Sequence, residues 1–249
     1  MIRSWSVAGL LRDLEGRGRH PAFIAFRAAD SETWESATVA DKVLRLARGL
    51  KAAGAGDGCR VALWAPNSPI WIIAALGVLS AGGVVVPIDD LADAVQFDAA
   101  LASSAARLVF TTERYLETSR DILAKHSVRT ILVDAPEGAG QYGAGWQALL
   151  GEQVEDLTLS GNDEPAFLSW TSGTTGSPKA FLLTHGNIAT NVEALQQMNV
   201  VGQTDRALLP LPLHNAYPFI VGIAEGSDDR DRRRPAGRKN RSSADAGNA

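Results

Sequence analysis

Residues 60–90 read RVALWAPNSPIWIIAALGVLSAGGVVVPIDD, and this stretch decides the fold. The short apolar runs at 60–64 and 84–86 are typical of buried strands. Between them, Pro69 suits the first turn of a helix, and the pair Gly82 and Gly83 suits its end. A strand, a helix and a second strand in this order predict a βαβ unit, which places both strands in a parallel sheet.

The apolar run at 70–88 also raises the question of a membrane span. A spanning helix needs about 20 apolar residues. Here Pro69 and the Ala81-Gly82-Gly83 run leave a helix of about a dozen residues, roughly 18 Å long at 1.5 Å per residue. The sequence therefore predicts a buried helix that feeds a buried strand, and no transmembrane segment.

The alternation of strand and helix patterns extends outward from this unit to about residue 220. Further strands are predicted at 22–26, 108–111, 130–133, 166–170 and 180–183. One helix is predicted at 38–53, where four apolar side chains recur on one face, and another at 113–126. We therefore predict an α/β fold, with a mainly parallel sheet flanked by helices, over residues 1–223.

Composition excludes several classes of function. The chain has 249 residues, 45% of them hydrophobic and 21% charged, which is typical of a globular protein with a sizeable core. A net charge of -4 gives no general electrostatic attraction to nucleic acids or anionic membranes. Cys59 is the single cysteine, so no internal disulfide can form, and no signal peptide is evident at the start. These features predict a cytoplasmic protein with no nucleic-acid partner.

Residues 224–249 break the pattern, because no Leu, Ile, Val, Met or aromatic residue follows Ile223. The segment AEGSDDRDRRRPAGRKNRSSADAGNA cannot bury enough apolar surface to order itself, which predicts a disordered charged tail. Two other interpretations are open. The basic run could serve nucleic-acid binding or targeting, or the segment could be translated in a wrong reading frame, which is the interpretation that we favour.

The segment TSGTTGSPK at 171–179 has the chemistry of a polyphosphate-binding loop. Binding a polyphosphate requires converging hydrogen-bond donors, a backbone that can approach closely, and a positive charge. Hydroxyl groups are supplied by Ser172, Thr174, Thr175 and Ser177. Gly173 and Gly176 have no side chain and let the backbone approach closely, and Lys179 supplies the ammonium group.

The alternative for this segment is a flexible surface linker rich in Ser, Thr and Gly. A linker has no reason to carry an apolar strand on each side and a Pro-Lys pair at its end, so binding is the better interpretation. The spacing also differs from the common nucleotide loop G-x-x-x-x-G-K-[ST], because Pro178 and Ala180 occupy the positions of its second glycine and its hydroxyl residue. We predict a different kind of loop, forming a turn between two strands.

The run WTSGTTGSPKAFLLTHGN at 170–187 resembles the phosphate-loop signature of the adenylate-forming superfamily, which includes acyl-CoA and aryl-CoA synthetases. The family usually has Gly where this chain has Ala180. Three other segments are similar to family motifs: the helix-to-strand segment LSAGGVVVPID at 79–89, ETW at 32–34, and LPLPLH at 209–214. The four segments span residues from about 30 to 223, and their order is more specific than any one of them.

The resemblance implies a two-step reaction, in which a carboxylic acid and ATP give an acyl-adenylate and a thiol, often coenzyme A, then accepts the acyl group. It implies that Mg²⁺ and the loop hold the β- and γ-phosphates, through Thr171, Ser172, Thr174, Thr175 and Lys179. It places His214 near the carboxylate or in the wall of the acyl pocket, whereas from the residues alone a loop histidine with no partner is an equal alternative.

Two further polar sites have simpler explanations. His185 is predicted to order a loop or to cap a helix that begins near Asn187. Asp89 and Asp90 are adjacent residues, which on a strand point to opposite faces and usually reflect a solvated turn, so we assign them neither catalysis nor a metal ion.

Later motifs of the family are absent from the sequence: the Tyr-Gly-x-Thr-Glu segment, the Thr-Gly-Asp segment and the domain that carries the catalytic lysine. We therefore expect an N-terminal fragment of an AMP-forming acyl-CoA synthetase with lost or greatly reduced activity, because most groups that orient the reaction are missing, and we assign it no catalytic residue. The alternative is a non-catalytic module that binds a nucleotide or a partner.

Overall fold

A computed structural model describes residues 5–26, 30–135, 139–140, 143–152, 160–171, 179–198 and 206–226. Helices and strands alternate along most of the chain. The helices are α1 (Val7–Gly16), α2 (Ser36–Ala52), α3 (Pro69–Ser80), α4 (Ala94–Ser104), α5 (Glu113–Lys125), α6 (His185–Met198) and α7 (Ala216–Gly226), with a short 3-10 helix at Trp146–Leu149. The strands are β1 (Pro21–Phe26), β2 (Ser31–Glu35), β3 (Arg60–Trp64), β4 (Val84–Pro87), β5 (Leu108–Thr111), β6 (Arg129–Leu132), β7 (Ala139–Gly140), β8 (Gly143–Gly145), β9 (Pro165–Trp170) and β10 (Ala180–Thr184).

Within the described residues, the main sheet has eight strands in the order β10-β9-β4-β3-β5-β6-β8-β7. All neighbours from β9 to β8 pair in parallel, and only the two outermost pairs, β10 with β9 and β7 with β8, are antiparallel. Strands β1 and β2 form a separate antiparallel pair. The predicted α/β fold with a mainly parallel sheet flanked by helices is confirmed.

The unit at 60–90 forms as predicted, with β3 and β4 parallel and α3 between them. Ser68 caps α3 by accepting a hydrogen bond from the Trp71 amide, and Pro69 occupies its first turn. All of α3 from Trp71 to Ser80 is buried, which explains its uniformly apolar sequence. No helix in the part of the chain described has the length and apolarity that a bilayer span requires.

Helices cover both faces of the sheet and divide the core into two clusters. The larger cluster joins α1, α2, α3, α6 and α7 to one face, and the smaller one joins α4 and α5 to the other. Part of the larger cluster is closed by the 3-10 helix, whose Leu149 packs against Gly49 of α2. This packing leaves no room for a side chain at position 49.

Elements with a weak or short pattern were missed at the sequence level. The pattern at 94–104 is only partly apolar, yet α4 forms because Asp93 and Gln96 make a reciprocal capping box at its start. Helix α1, the short strands β2, β7 and β8, the 3-10 helix and α7 were not predicted either.

Helix α7 continues to Gly226, three residues beyond Ile223, where the apolar pattern stops. Ala224 and Glu225 are good helix formers, which favours continuation of the helix beyond Ile223. The predicted tail at 224–249 overlaps the end of this helix by three positions, and its disorder stays a prediction. The rest of that prediction, at 227–249, lies outside the described residues.

Candidate functional site

The predicted loop at 171–179 joins two antiparallel strands, β9 and β10, as the sequence indicates. Its two ends are fastened together: the Thr171 amide donates to the Lys179 carbonyl oxygen at 3.0 Å, and the Lys179 amide donates to Thr171 Oγ1 at 3.3 Å. Both residues are exposed. Ser172, Gly173, Thr174, Thr175, Gly176, Ser177 and Pro178 lie outside the described residues, so their predicted role in binding stays a prediction.

The loop leaves the sheet at the carboxyl end of β9, beside the carboxyl end of β4. These two strands are parallel, with Val85 of β4 paired to Phe167 of β9. Asp89 lies four residues after Val85, and Thr171 lies four residues after Phe167. The turn after β4 and the loop after β9 therefore emerge at one edge of the sheet, where parallel α/β sheets place their ligands.

His214 lies at the turn after β4. Its Nδ1 is 3.8 Å from Asp89 Oδ1 and 3.7 Å from Asp90 Oδ1, and only 16% of its side chain is exposed. Its Nε2 is 3.3 Å from the side-chain nitrogen of Asn215. The alternative of a loop histidine with no partner is therefore wrong.

The turn that the sequence favours for Asp89 and Asp90 is found, and their side chains both approach His214. Strand β4 ends at Pro87, so both aspartates lie in the turn beyond it, where the alternation of a strand no longer applies. The Asp89 side chain also accepts a hydrogen bond from the Leu91 amide at 2.9 Å, which closes the turn. Two carboxylates consequently face one imidazole.

An aromatic stack that was not predicted from the sequence packs next to this turn. Trp64 Nε1 donates to the Asp89 carbonyl oxygen at 3.0 Å, and its ring stacks on Phe97 at a centroid distance of 3.9 Å. Tyr115 is the second aromatic neighbour of Trp64, with a distance of 4.7 Å between the two ring centroids. Burial raises the pKa of Tyr115, and the charges of Asp90 and Asp89 add to the effect. The position of Trp64 at the carboxyl end of β3 was the available signal.

His185 is the first residue of α6, and Thr184 is its cap. Thr184 and Asn187 exchange hydrogen bonds between side chain and backbone amide, at 3.0 and 3.1 Å. The prediction that His185 caps the helix is wrong, although its amide does order the loop by donating to the Glu164 carbonyl oxygen at 3.0 Å. Burial lowers the pKa of His185, and its Nε2 has no partner among the described residues.

The groups at this edge suit phosphate and magnesium in different ways. The loop end brings an ammonium and a hydroxyl, which suit phosphate oxygens, and Mg²⁺ bound to a nucleotide needs few protein ligands. Asp89, Asp90 and His214 offer ligand atoms within 4.8 Å of one another, but acidic groups often cluster without an ion, so we assign none.

The chain was compared with known families, sequences and structures. The AMP-binding enzyme family model matches residues 11–224. A feruloyl-CoA synthase from Amycolatopsis sp. is 35% identical over 185 residues, and a sulfoacetate–CoA ligase from Cupriavidus necator is 33% identical over 177 residues. These alignments cover 72% and 71% of the chain but 34% of each relative, so the chain spans about a third of the length of these curated relatives.

Solved structures share the fold. A long-chain-fatty-acid–CoA ligase from Archaeoglobus fulgidus superposes with a TM-score of 0.79 at 20% identity, over 90% of this chain and 46% of that one. The inhibitor-bound N-terminal domain of FACL13 from Mycobacterium tuberculosis superposes with a TM-score of 0.74 at 24% identity, over 89% of this chain and 55% of that one. Since the family model matches most of the chain, this protein belongs to the family of AMP-binding enzymes, the adenylate-forming enzymes.

Proposed function

We propose that this chain carries the phosphate-side part of the adenylation site of an AMP-forming carboxylate–CoA ligase, acting in the cytoplasm. The observation that supports this proposal is that Asp89 and Thr171 lie equally far beyond the paired residues of β4 and β9, and therefore at one edge of the sheet. It supports a site in which the loop ending at Lys179 lies near the turn at Asp89 and Asp90, beside His214, so that a triphosphate and a carboxylate would meet there.

In this proposal the loop binds and orients the phosphates. Lys179 supplies the positive charge at the base of the β9–β10 hairpin, and Thr171, Ser172, Thr174 and Thr175 supply hydroxyl donors. Bound Mg²⁺ would neutralise the β- and γ-phosphate oxygens. The residues of this chain act by position and charge, which are the main means of catalysis in reactions at phosphorus.

His214 forms part of the wall that receives the acid. An imidazole flanked by Asp89 and Asp90 is held in one orientation, since both carboxylates attract its Nδ1 side. The relatives act on an aryl acid, a short sulfonated acid and a fatty acid, by their names. Their shared feature is the carboxylate, so we propose a carboxylic acid as the substrate class and coenzyme A as the acceptor.

Ligand binding tests the proposal directly. In calorimetric titrations of the 249-residue chain with Mg²⁺ present, ATP and pyrophosphate should bind with similar affinity, because the phosphates make the contacts. AMP should bind at least about tenfold more weakly, the loss expected when charged hydrogen bonds are missing. AMP binding as tight as that of ATP, with no binding of pyrophosphate, would contradict the proposal.

A second measurement concerns turnover. The adenine-side and catalytic-lysine motifs of the family are absent from this sequence, so we expect no acid-dependent exchange of pyrophosphate into ATP with ferulate, sulfoacetate or palmitate. Robust exchange with any of these acids would show that the site is complete without those motifs.

A further inference from the structure

The side chain of Asn67 bridges the chain segment that leads to His214. Its Nδ2 donates to the Leu211 carbonyl oxygen at 2.8 Å, and its Oδ1 accepts from the Leu213 amide, also at 2.8 Å. The two partners are separated from Asn67 by 144 and 146 residues along the sequence. Both distances are those of good hydrogen bonds.

The segment needs this kind of partner because of its prolines. Pro210 and Pro212 have no N–H group, so the segment cannot pair as a regular strand. The groups on either side of Pro212 include the Leu211 carbonyl acceptor and the Leu213 amide donor. A primary amide offers both a donor and an acceptor on one short side chain, which a carboxylate does not. Asn67 thus replaces the missing strand partner.

The bridge fixes the turn that carries the histidine. The Asn215 amide donates to the Pro212 carbonyl oxygen at 3.2 Å, so the turn begins at the residue that Asn67 brackets. On the far side of the bridge, the buried Leu213 side chain anchors the turn in the core. The backbone that carries His214 is thus held by the Asn67 bridge and by the buried Leu213 side chain. The imidazole of His214 extends from it to Asp89 and Asp90.

The bridge contributes position rather than bulk stability. Asn67 is exposed, and hydrogen bonds open to water add little to the free energy of unfolding. The stability of this region comes instead from α7, where Phe219 packs between Trp71 and Phe167 at ring distances of 6.0 and 4.9 Å. Loss of the bridge should free the turn while α7 stays in place.

We propose that Asn67 is a positioning residue for His214, and that it sets where the imidazole stands at the acid-binding end of the site. The part of this inference that concerns the acid rests on the proposed function. The bridge itself can be tested without any ligand, so its failure is distinguishable from failure of the proposed function.

The test is histidine acylation by diethyl pyrocarbonate on the full chain, with peptide mapping to resolve all four histidines. In the Asn67→Ala variant, His214 should react about tenfold faster than in the wild type, because two hydrogen bonds that restrict the turn are lost. His20, His126 and His185 should react at unchanged rates. Asn67→Asp keeps the acceptor for the Leu213 amide but loses the donor, so it should fall between the two.

Asn191→Ala is the matched control, since the Asn191 side-chain amide donates to the Asn187 carbonyl oxygen within its own helix, α6. It should leave His214 at the wild-type rate. An unchanged His214 rate in Asn67→Ala, or an equal rise at all four histidines, would overturn the proposal. If Asn67→Ala does not fold, Asn67→Asp decides in the same way.

Discussion

The Leu149 carbonyl oxygen occupies the place that a β-carbon on Gly49 would need. Gly49 lies in the last turns of α2, and Leu149 ends the 3-10 helix that packs on it. The obstacle is backbone rather than a flexible side chain, so it cannot rotate away. The contact between α2 and the 3-10 helix therefore depends on a glycine at this position.

Gly49→Ala should lower the midpoint of thermal unfolding by about 5–10 °C, since overpacking against a rigid neighbour costs about 1–3 kcal/mol. Gly16→Ala is the control: Gly16 is also helical, and a β-carbon there would meet nothing within 4 Å. Its midpoint should stay the same or rise by about 2 °C. Equal behaviour of the two variants would show that the 3-10 helix does not rest on α2.

Lys179→Ala should weaken binding of Mg²⁺–pyrophosphate by about tenfold or more, because one charge-assisted contact is lost. Calorimetry on the folded variant measures this. Lys125→Ala is the control, since Lys125 pairs with Asp98 through a 2.7 Å contact between α5 and α4. If both variants lose affinity equally, general positive charge rather than the loop accounts for binding.

The pKa of His185 is lowered by burial, so the folded protein takes up a proton there less readily than the unfolded chain. The unfolded state then binds more protons as the pH falls below about 6.5, and the free energy of unfolding drops in that window. In urea titrations between pH 7 and 5, His185→Gln should flatten this dependence. His20→Gln, at an exposed position, should keep the wild-type slope. Identical slopes in all three proteins would exclude His185 as the source.

The pKa of Asp98 is lowered by hydrogen bonds, first from Lys125 and then from His126. A lowered pKa of a carboxyl group adds stability above its unfolded value near 3.8, and this addition is lost as the pH falls through the folded value. Asp98→Asn should therefore lower the unfolding midpoint slightly at pH 7, and the difference should vanish in strong acid. Asp121→Asn, at an exposed site on α5, should show no such pH-dependent difference. If the unfolding midpoint of Asp98→Asn stays below that of the wild type in strong acid, the loss of stability comes from packing and not from the charge of Asp98.

The elements that could be predicted from the sequence are those whose apolar pattern follows from burial in or against the sheet. Strands β3 and β5 have the predicted bounds, and α3 begins and ends where its proline and glycines indicate. Periodicity works there because both faces of the central strands are covered. Helix α4 was missed because its start depends on a local capping box, while few of its side chains are buried.

The candidate site was only partly predictable for a different reason. The loop residues and His214 can be found from residue types, whereas the approach of Asp89 and Asp90 to His214 joins positions more than 120 residues apart. Their meeting depends on β4 ending at Pro87 and on the bridge made by Asn67, neither of which follows from local pattern.

The hydrogen bond from Trp64 to the Asp89 carbonyl oxygen gives the protein an internal optical probe. The Trp64 indole stacks on Phe97 and donates to the turn at Asp89, so its electronic transitions respond both to this packing and to charge near the turn. The near-ultraviolet circular dichroism of Trp64 should therefore change when an anion binds beside His214. Comparison with a Trp64→Phe variant separates this signal from those of the other five tryptophans, so occupancy of this edge of the sheet can be followed without a dye or a chemical label.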